Sequence, residues 1–260
     1  MRKLALSDEI LLKVDKAARY IGGEVNSVMK DKNEVEIRFA MCFPDVYEIG
    51  MSNLGMMILY NMFNQREDVW CERLFSPWPD LDKVMREQNI PLFALESQEP
   101  IRDFDFLGIT LGYEMCYTNI LQVLDLSGIP LKSADRGEDF PIVIGGGACA
   151  YNPEPLAPFF DLFYIGEGET VYDALFDAYK ANKKAGGSRR DFLLAAAKIP
   201  GIYVPSLYEV TYKEDGTIAS FAPTEAGVPE KVQKQLIIDM EKEYRAVEAP
   251  VVPHIKATQD

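Results

Sequence analysis

The sequence predicts an α/β fold: a doubly wound, mainly parallel sheet of the Rossmann-like kind, with a leading helix and a C-terminal β-hairpin appendix. Three observations predict it. Short apolar runs of strand length alternate with segments whose apolar residues recur at helical spacing, the order that a parallel sheet covered by helices on both faces requires. The unusual loops, around Asp45, Gly145 and Glu167, all follow strand-like runs. Near the C-terminal end, two further strand-like runs flank Glu214-Asp215-Gly216, a hairpin signal.

Taken in order, Ser7 precedes a run in which Ile10, Leu11, Val14, Ala18 and Ile21 share a helical face, and Gly22-Gly23 supplies a stop, so an amphipathic helix leads the chain. Residues 34–42 alternate and then turn apolar, as a strand entering a buried sheet does; 43–50 read as a loop and 52–65 as a helix. The unit then recurs: strand 69–75, helix 80–89, short strand 91–95, strand 106–111, helix 117–127, strand 142–144 running into Gly145-Gly146-Gly147, strand 162–165 and helix 170–182. After KKAGGSRRD, 191–198 is a short helix, and 201–212 and 217–222 are the strands beside the hairpin turn. From Val228 the chain is charged and then proline-rich through Pro250 and Pro253, the composition of a linker. The expected division is therefore a lead-in over 1–33, the α/β domain over 34–185, the appendix over 186–227 and a linker over 228–260.

Composition narrows the function classes. With 48% hydrophobic residues in 260, the chain can bury one large core or two modest ones. A net charge of -14 disfavours a phosphate-binding surface, so no direct nucleic-acid binding is expected. No apolar stretch approaches the roughly 20 residues that span a bilayer, and MRKLALSDEI turns charged too early for a secretory signal; a cytoplasmic protein without membrane contact is expected. Cys42, Cys71, Cys116 and Cys149 form no C-x-x-C or C-x-x-x-C-x-x-C pattern, which argues against a locally coded zinc or iron–sulfur site. His254 is the only histidine, so mechanisms that need a histidine pair are excluded.

The loops carry the candidate chemistry, because the carboxyl edge of such a sheet is where ligands bind. Asp45, Tyr47 and Gly50 form a D-x-Y-x-x-G loop after the first strand. Thr110 puts a small hydroxyl residue at the end of a central strand. Gly145, Gly146 and Gly147 let the backbone approach a flat or phosphate-bearing ligand. Gly166, Glu167 and Gly168 turn into the next helix, where Glu169 and Thr170 are placed to cap it. These ten residues, Asp45 to Gly168 without Glu169 and Thr170, are the candidate cofactor-binding set; no catalytic or metal-ligating residue is expected.

The order of these loops, with ARYIGGEVNSV, FPDVYEIGMSNLG, IVIGGGACAYNPEPLAPFFD and PVVPHIKATQD, resembles an uncharacterised bacterial family of radical S-adenosylmethionine (radical SAM) proteins with an N-terminal cobalamin-binding-type domain. The resemblance covers essentially the whole chain. In cobalamin domains of the kind found in methionine synthase, the first loop is D-x-H-x-x-G, with the imidazole on cobalt and the Asp orienting it. Tyr47 stands at the histidine position here, and a phenol with an ordinary pKa of about 10 is a poor cobalt ligand. The resemblance thus implies cobalamin without a protein imidazole beneath its cobalt, with Thr110 lining the slot for the dimethylbenzimidazole tail. It implies further that the sequence continues past Asp260 into a radical SAM barrel whose C-x-x-x-C-x-x-C holds a [4Fe-4S] cluster and S-adenosylmethionine. The cluster and S-adenosylmethionine would belong to that downstream domain, and the barrel of the same polypeptide would be the partner.

Two other readings stay open. The same fold could serve as a non-catalytic docking or structural domain without cobalamin, with Glu114, Met115 and Tyr117 meeting a partner; Met51, Met56 and Met57 near the first loop are candidates for an apolar patch on the surface meant for the barrel. A free-standing enzyme would use Asp45, Glu48 and Glu167 as acid or base groups, or would hold a flavin.

Overall fold

The structure is a computed structural model, and it describes residues 3–243, 247 and 249–252. Pro253 and His254 lie outside the described residues. Strands β1 (Ile37–Phe43), β2 (Val69–Phe75), β3 (Phe106–Thr110), β4 (Ile142–Gly146), β5 (Leu162–Tyr164) and β6 (Ile202–Tyr203) form one sheet in the order β2-β1-β3-β4-β5-β6. All neighbours run parallel except β6, which is antiparallel to β5. The predicted α/β class is what forms. Strands β7 (Tyr208–Tyr212) and β8 (Ile218–Pro223) pair as a separate antiparallel hairpin, turned at Gly216 with φ +80°, and the Phe221 ring stacks on Tyr208 at 5.2 Å between centroids.

The lead-in is two short helices, α1 (Asp8–Leu11) and α2 (Ala18–Ile21), rather than one continuous helix. The helical face predicted across Val14 is interrupted because the Asp15 amide donates outward to Asp80 Oδ2 at 2.7 Å and Lys16 adopts φ +54°. Helix α3 (Tyr47–Gly50) is a single turn inside the predicted loop, and α4 (Leu54–Asn64) opens on Asn53, whose side chain accepts from the Met56 amide. Helices α5 (Pro79–Gln88), α6 (Tyr117–Leu126), α7 (Tyr172–Ala185) and α8 (Arg189–Ala196) complete the layers. The last begins with a reciprocal capping box between Ser188 and Asp191.

Both sheet faces are buried, which is why the strands read as nearly continuous apolar runs. In β1, Phe39 and Met41 face one core, and Ala40 and Cys42 face the other. The first core is aromatic: Phe39, Phe63, Tyr172 and Phe176 meet with centroids 4.7 to 6.3 Å apart, beneath α4, α7 and α8. The second is aliphatic, with Leu81 and Met85 of α5 and Ile120, Val123 and Leu124 of α6.

Two predicted strands take other roles. Residues 91–95 form no strand with the main sheet; Phe93 bridges Pro100, and the hook so formed lies along β2. Residues 202–203 leave the hairpin and join the main sheet as β6.

Strand β2 is an outer strand, yet its free side is occupied at Val69, Cys71 and Arg73. Lys30 Nζ donates to the Val69 carbonyl at 2.6 Å. The Asn64 carboxamide takes the Cys71 amide at 3.0 Å and donates to its carbonyl at 2.9 Å. Glu96 accepts from the Arg73 amide at 2.7 Å, and the Leu95 amide donates to the Arg73 carbonyl at 2.9 Å. Glu72 and Glu96 are fully buried in this seam and are bound by Arg38 and Arg73, each at 2.6 Å, because a buried carboxylate must find cationic or hydrogen-bonding partners. Burial still pushes the Glu72 carboxyl above its ordinary range, with Arg38 opposing the shift.

Candidate functional site

A cavity of about 330 Å³ lies at the carboxyl ends of β1, β3, β4 and β5, on the face covered by α4 and α7. The strand order reverses between β1 and β3, and the opening left where successive connections part is where open α/β sheets bind ligands. Across the floor, Met41 stands beside Gly108 and Ile144, and Thr110 beside Gly146 and Tyr164. Asn53, Met56 and Leu59 of the α4 segment close one side, and Gly166, Gly168 and Tyr172 the other.

The glycine triplet divides into three jobs. Gly145 faces the opposite core, where a Cβ would meet the Phe163 ring at 2.7 Å. Gly146 faces the cavity, and a Cβ there would meet nothing nearer than the Tyr172 hydroxyl at 3.8 Å. Gly147 turns the chain at φ +110°, with the Leu111 backbone so close that a Cβ would sit 3.0 Å from its carbonyl oxygen. One residue of the three therefore makes the open space.

Thr110, Gly146, Gly147, Gly166 and Gly168 line this cavity, whereas Asp45, Tyr47, Gly50, Gly145 and Glu167 lie outside its lining. In the first loop, Tyr47 donates to Glu24 Oε1 at 2.9 Å and sets its ring edge-on to Phe75 at 5.3 Å. Burial, then the Glu24 charge, pushes its hydroxyl well above the ordinary value. Asp45 accepts from the Val46 amide at 2.7 Å and from the Tyr113 hydroxyl at 3.0 Å. Gly50 admits the Phe75 ring, with a virtual Cβ 2.2 Å from Cε1. Glu48 is paired with Arg19 at 2.9 Å and Lys16 at 3.0 Å; burial opposes its ionisation, but the hydrogen bond from Arg19 leads a set that holds it below the usual carboxylate range.

The fourth loop is tied to residue 235. Gly166 at φ +121° bridges Gln235, the Glu167 amide donates to the Gln235 carbonyl at 3.1 Å, and the Glu167 carboxylate accepts from the Ile237 amide. The capping expected of Glu169 and Thr170 does not occur: α7 starts from Val171 with no side-chain cap, and Thr170 turns back to the Glu167 carbonyl at 3.5 Å. Of the three methionines, Met51 is core, Met56 lines the cavity and Met57 is half-buried, while Met115 is 84% exposed.

Sequence reasoning missed Gly108, Asn53 and Tyr172. Gly108 had a legible signal, since an isolated glycine inside a strand marks close approach of another group; the Phe39 ring occupies that place, 2.4 Å from a virtual Cβ. Tyr172 had none, because a tyrosine in the first turn of a helix reads as ordinary core. Among the described residues, no group of three or more His, Cys, Asp or Glu side chains is placed to hold a metal ion, and no helix is long and apolar enough to cross a membrane.

Residues 55–205, more than half of the chain, match the family described as radical SAM proteins, N-terminal. The chain belongs to that family. The matched span of this radical SAM N-terminal domain contains β3, β4 and β5, three of the four strands around the cavity. The uncharacterized protein MJ0966 of Methanocaldococcus jannaschii is 28% identical over 131 residues, which is 50% of this chain and 24% of that relative. The alignment thus spans about a quarter of the relative's length. No solved structure matches.

Proposed function

We propose that this radical SAM N-terminal domain is a cofactor-holding module: the cavity at the strand-order reversal takes the nucleotide tail of cobalamin, and the carboxyl edge presents the corrin to a radical SAM barrel of the same polypeptide. The cavity floor at Gly146, open where any other residue would place a side chain, carries the reading. Its walls are mostly apolar, with hydroxyls at Thr110 and Tyr172, a lining suited to a flat heteroaromatic ring. About 330 Å³ suits such a ring and leaves the much larger corrin outside, over the rim. Tyr47 is engaged by Glu24, so the chain offers no imidazole and no free phenol from that loop to the cobalt. Bound cobalamin would supply methyl-carrier or redox chemistry; the chain's own residues bind the tail, orient it and exclude water from it. Residues 228–260 would then lead towards the barrel, which would carry the [4Fe-4S] cluster and S-adenosylmethionine.

Hydroxocobalamin titrated into the purified chain, followed by desalting and a visible spectrum, tests this. Retained cobalamin is expected at tens of micromolar, and Gly146→Leu, which fills the open floor, should lose it. A wild-type chain that retains none overturns the reading.

A docking module without cobalamin is the second reading, favoured by an open groove of about 720 Å³ beside β5 and the hairpin. Its aromatic lining includes Tyr151 and Tyr212, exposed by 57% and 66%. Under that reading the barrel would cover the groove, and in the full-length protein Tyr212→Ser would loosen the barrel while hydroxocobalamin is never retained.

A further inference from the structure

Tyr172 presents to the cavity a polar group that the fold itself does not use. Its side chain is more than nine-tenths buried, and its ring is fixed among Phe63 at 4.7 Å, Tyr164 at 5.3 Å and Phe176 at 5.9 Å. Yet its hydroxyl lines the cavity, 3.8 Å from the open position above Gly146, and it makes no hydrogen bond among the described residues. Its neighbour Tyr164, by contrast, is satisfied by the Glu167 carbonyl at 2.5 Å. The Tyr172 ring is buried but the hydroxyl opens onto the cavity, where a ligand group can supply the partner that the protein does not. Thr110, beside Gly146 in the β3–β4 register, also has no side-chain partner among the described residues, so two hydroxyls border the open floor at Gly146.

We propose that Tyr172 reads the ligand: its hydroxyl donates a hydrogen bond to the ring nitrogen of a benzimidazole-type base seated over Gly146. This rests on the cavity's being the tail site. The chemistry is complementary. A benzimidazole buried in the protein rather than bound to cobalt carries an imine nitrogen whose lone pair needs a donor, and burying it without one is unfavourable. The apolar walls at Met41, Leu59 and Ile144 supply no donor; Tyr172 does, and the other side-chain donors of the lining are Thr110 and the Asn53 carboxamide. Thr110, on the other side of Gly146, is free to meet the ribose or the remaining ring edge. Tyr172 is thus a specificity-determining residue that distinguishes a base with an acceptor nitrogen from one of the same shape without it.

The test compares 5,6-dimethylbenzimidazole with 5,6-dimethylindole, in which a C–H replaces the acceptor nitrogen, by isothermal titration into the purified chain. Wild type should prefer the benzimidazole by about tenfold, the worth of one buried hydrogen bond. Tyr172→Phe keeps the ring and its packing, so the melting temperature should stay near wild type while the preference disappears and the indole affinity is unchanged. A Tyr172→Phe protein that keeps the preference, or a wild type that has none while retaining hydroxocobalamin, overturns the role of Tyr172 and leaves the cavity reading standing. A wild type that binds neither base nor hydroxocobalamin overturns both.

Discussion

Gly50 and Gly146 both sit in loops that sequence singles out, yet substitution to alanine should separate them. Gly50 ends α3 in helical backbone, and a Cβ there would lie 2.2 and 2.5 Å from two carbons of Phe75 and 3.0 Å from Phe43 Cβ. Phe75 cannot swing away easily: it is buried, and Tyr47 lies against it at 5.3 Å. Overpacking of this kind costs about 2–3 kcal/mol, from which the better helix propensity of alanine recovers about 1 kcal/mol at most. The net loss of about 2 kcal/mol corresponds to a melting temperature lower by about 4–8 °C in a chain of this size. Gly146→Ala meets open space at a backbone conformation that alanine can adopt, and by restricting the unfolded chain it can gain about 0.5 kcal/mol, so its stability should equal or slightly exceed wild type. Urea unfolding followed by circular dichroism measures both. A Gly50→Ala protein as stable as wild type would refute the close packing of Phe75, and a Gly146→Ala protein weakened by more than about 1 kcal/mol would refute the open floor.

Other outcomes follow from the buried charges and the caps. Glu96→Ala strips the Arg73 amide and guanidinium of their 2.7 and 2.6 Å partner and should cost about 3 kcal/mol in urea unfolding; a loss below about 1 kcal/mol would show that Glu24 alone suffices for Arg73. Glu24 itself is penalised by burial, but the Arg73 guanidinium outweighs this and holds the carboxyl below its ordinary 4.5. A depressed folded value means that its stabilisation is complete above about pH 4.5 and is lost as pH falls through the folded value. Glu24→Gln should therefore be less stable than wild type at neutral pH, with the gap closing in acid; a gap independent of pH would contradict the pairing. Ser188→Ala removes the hydroxyl that accepts from the Asp191 amide and should cost about 1 kcal/mol, whereas an unchanged midpoint would show that the capping box adds nothing.

Periodicity made the sheet legible because each strand is buried on both faces: Ile37 to Phe43 and Val69 to Phe75 contain no solvent-facing position to blur the signal. It could not report that Asp15 spends its amide on Asp80, which breaks the leading helix, or that Leu95 and Glu96 serve the side of β2 in place of a strand. These are tertiary hydrogen bonds, invisible to a local window. At the cavity, the loops after β4 and β5 were legible from their glycines, since Gly146 and Gly166 interrupt otherwise bulky sequence. The role of each glycine was not: Gly145 and Gly146 are adjacent letters that point to opposite cores. Tyr172 joins the site only because α7 folds back over the sheet, a placement fixed by Phe39 and Phe63 rather than by anything near residue 172.

The seam along β2 has a consequence for how this domain can meet other chains. An unprotected outer strand invites another strand to extend the sheet. Here Lys30, Asn64, Leu95 and Glu96 already hold the Val69 carbonyl and the outward groups of Cys71 and Arg73, so a visiting backbone finds most of the ladder answered. The sheet is finite on that side by chemistry rather than by length. A protein that joins along these three residues has to bring side chains, because their outward main-chain groups are already engaged.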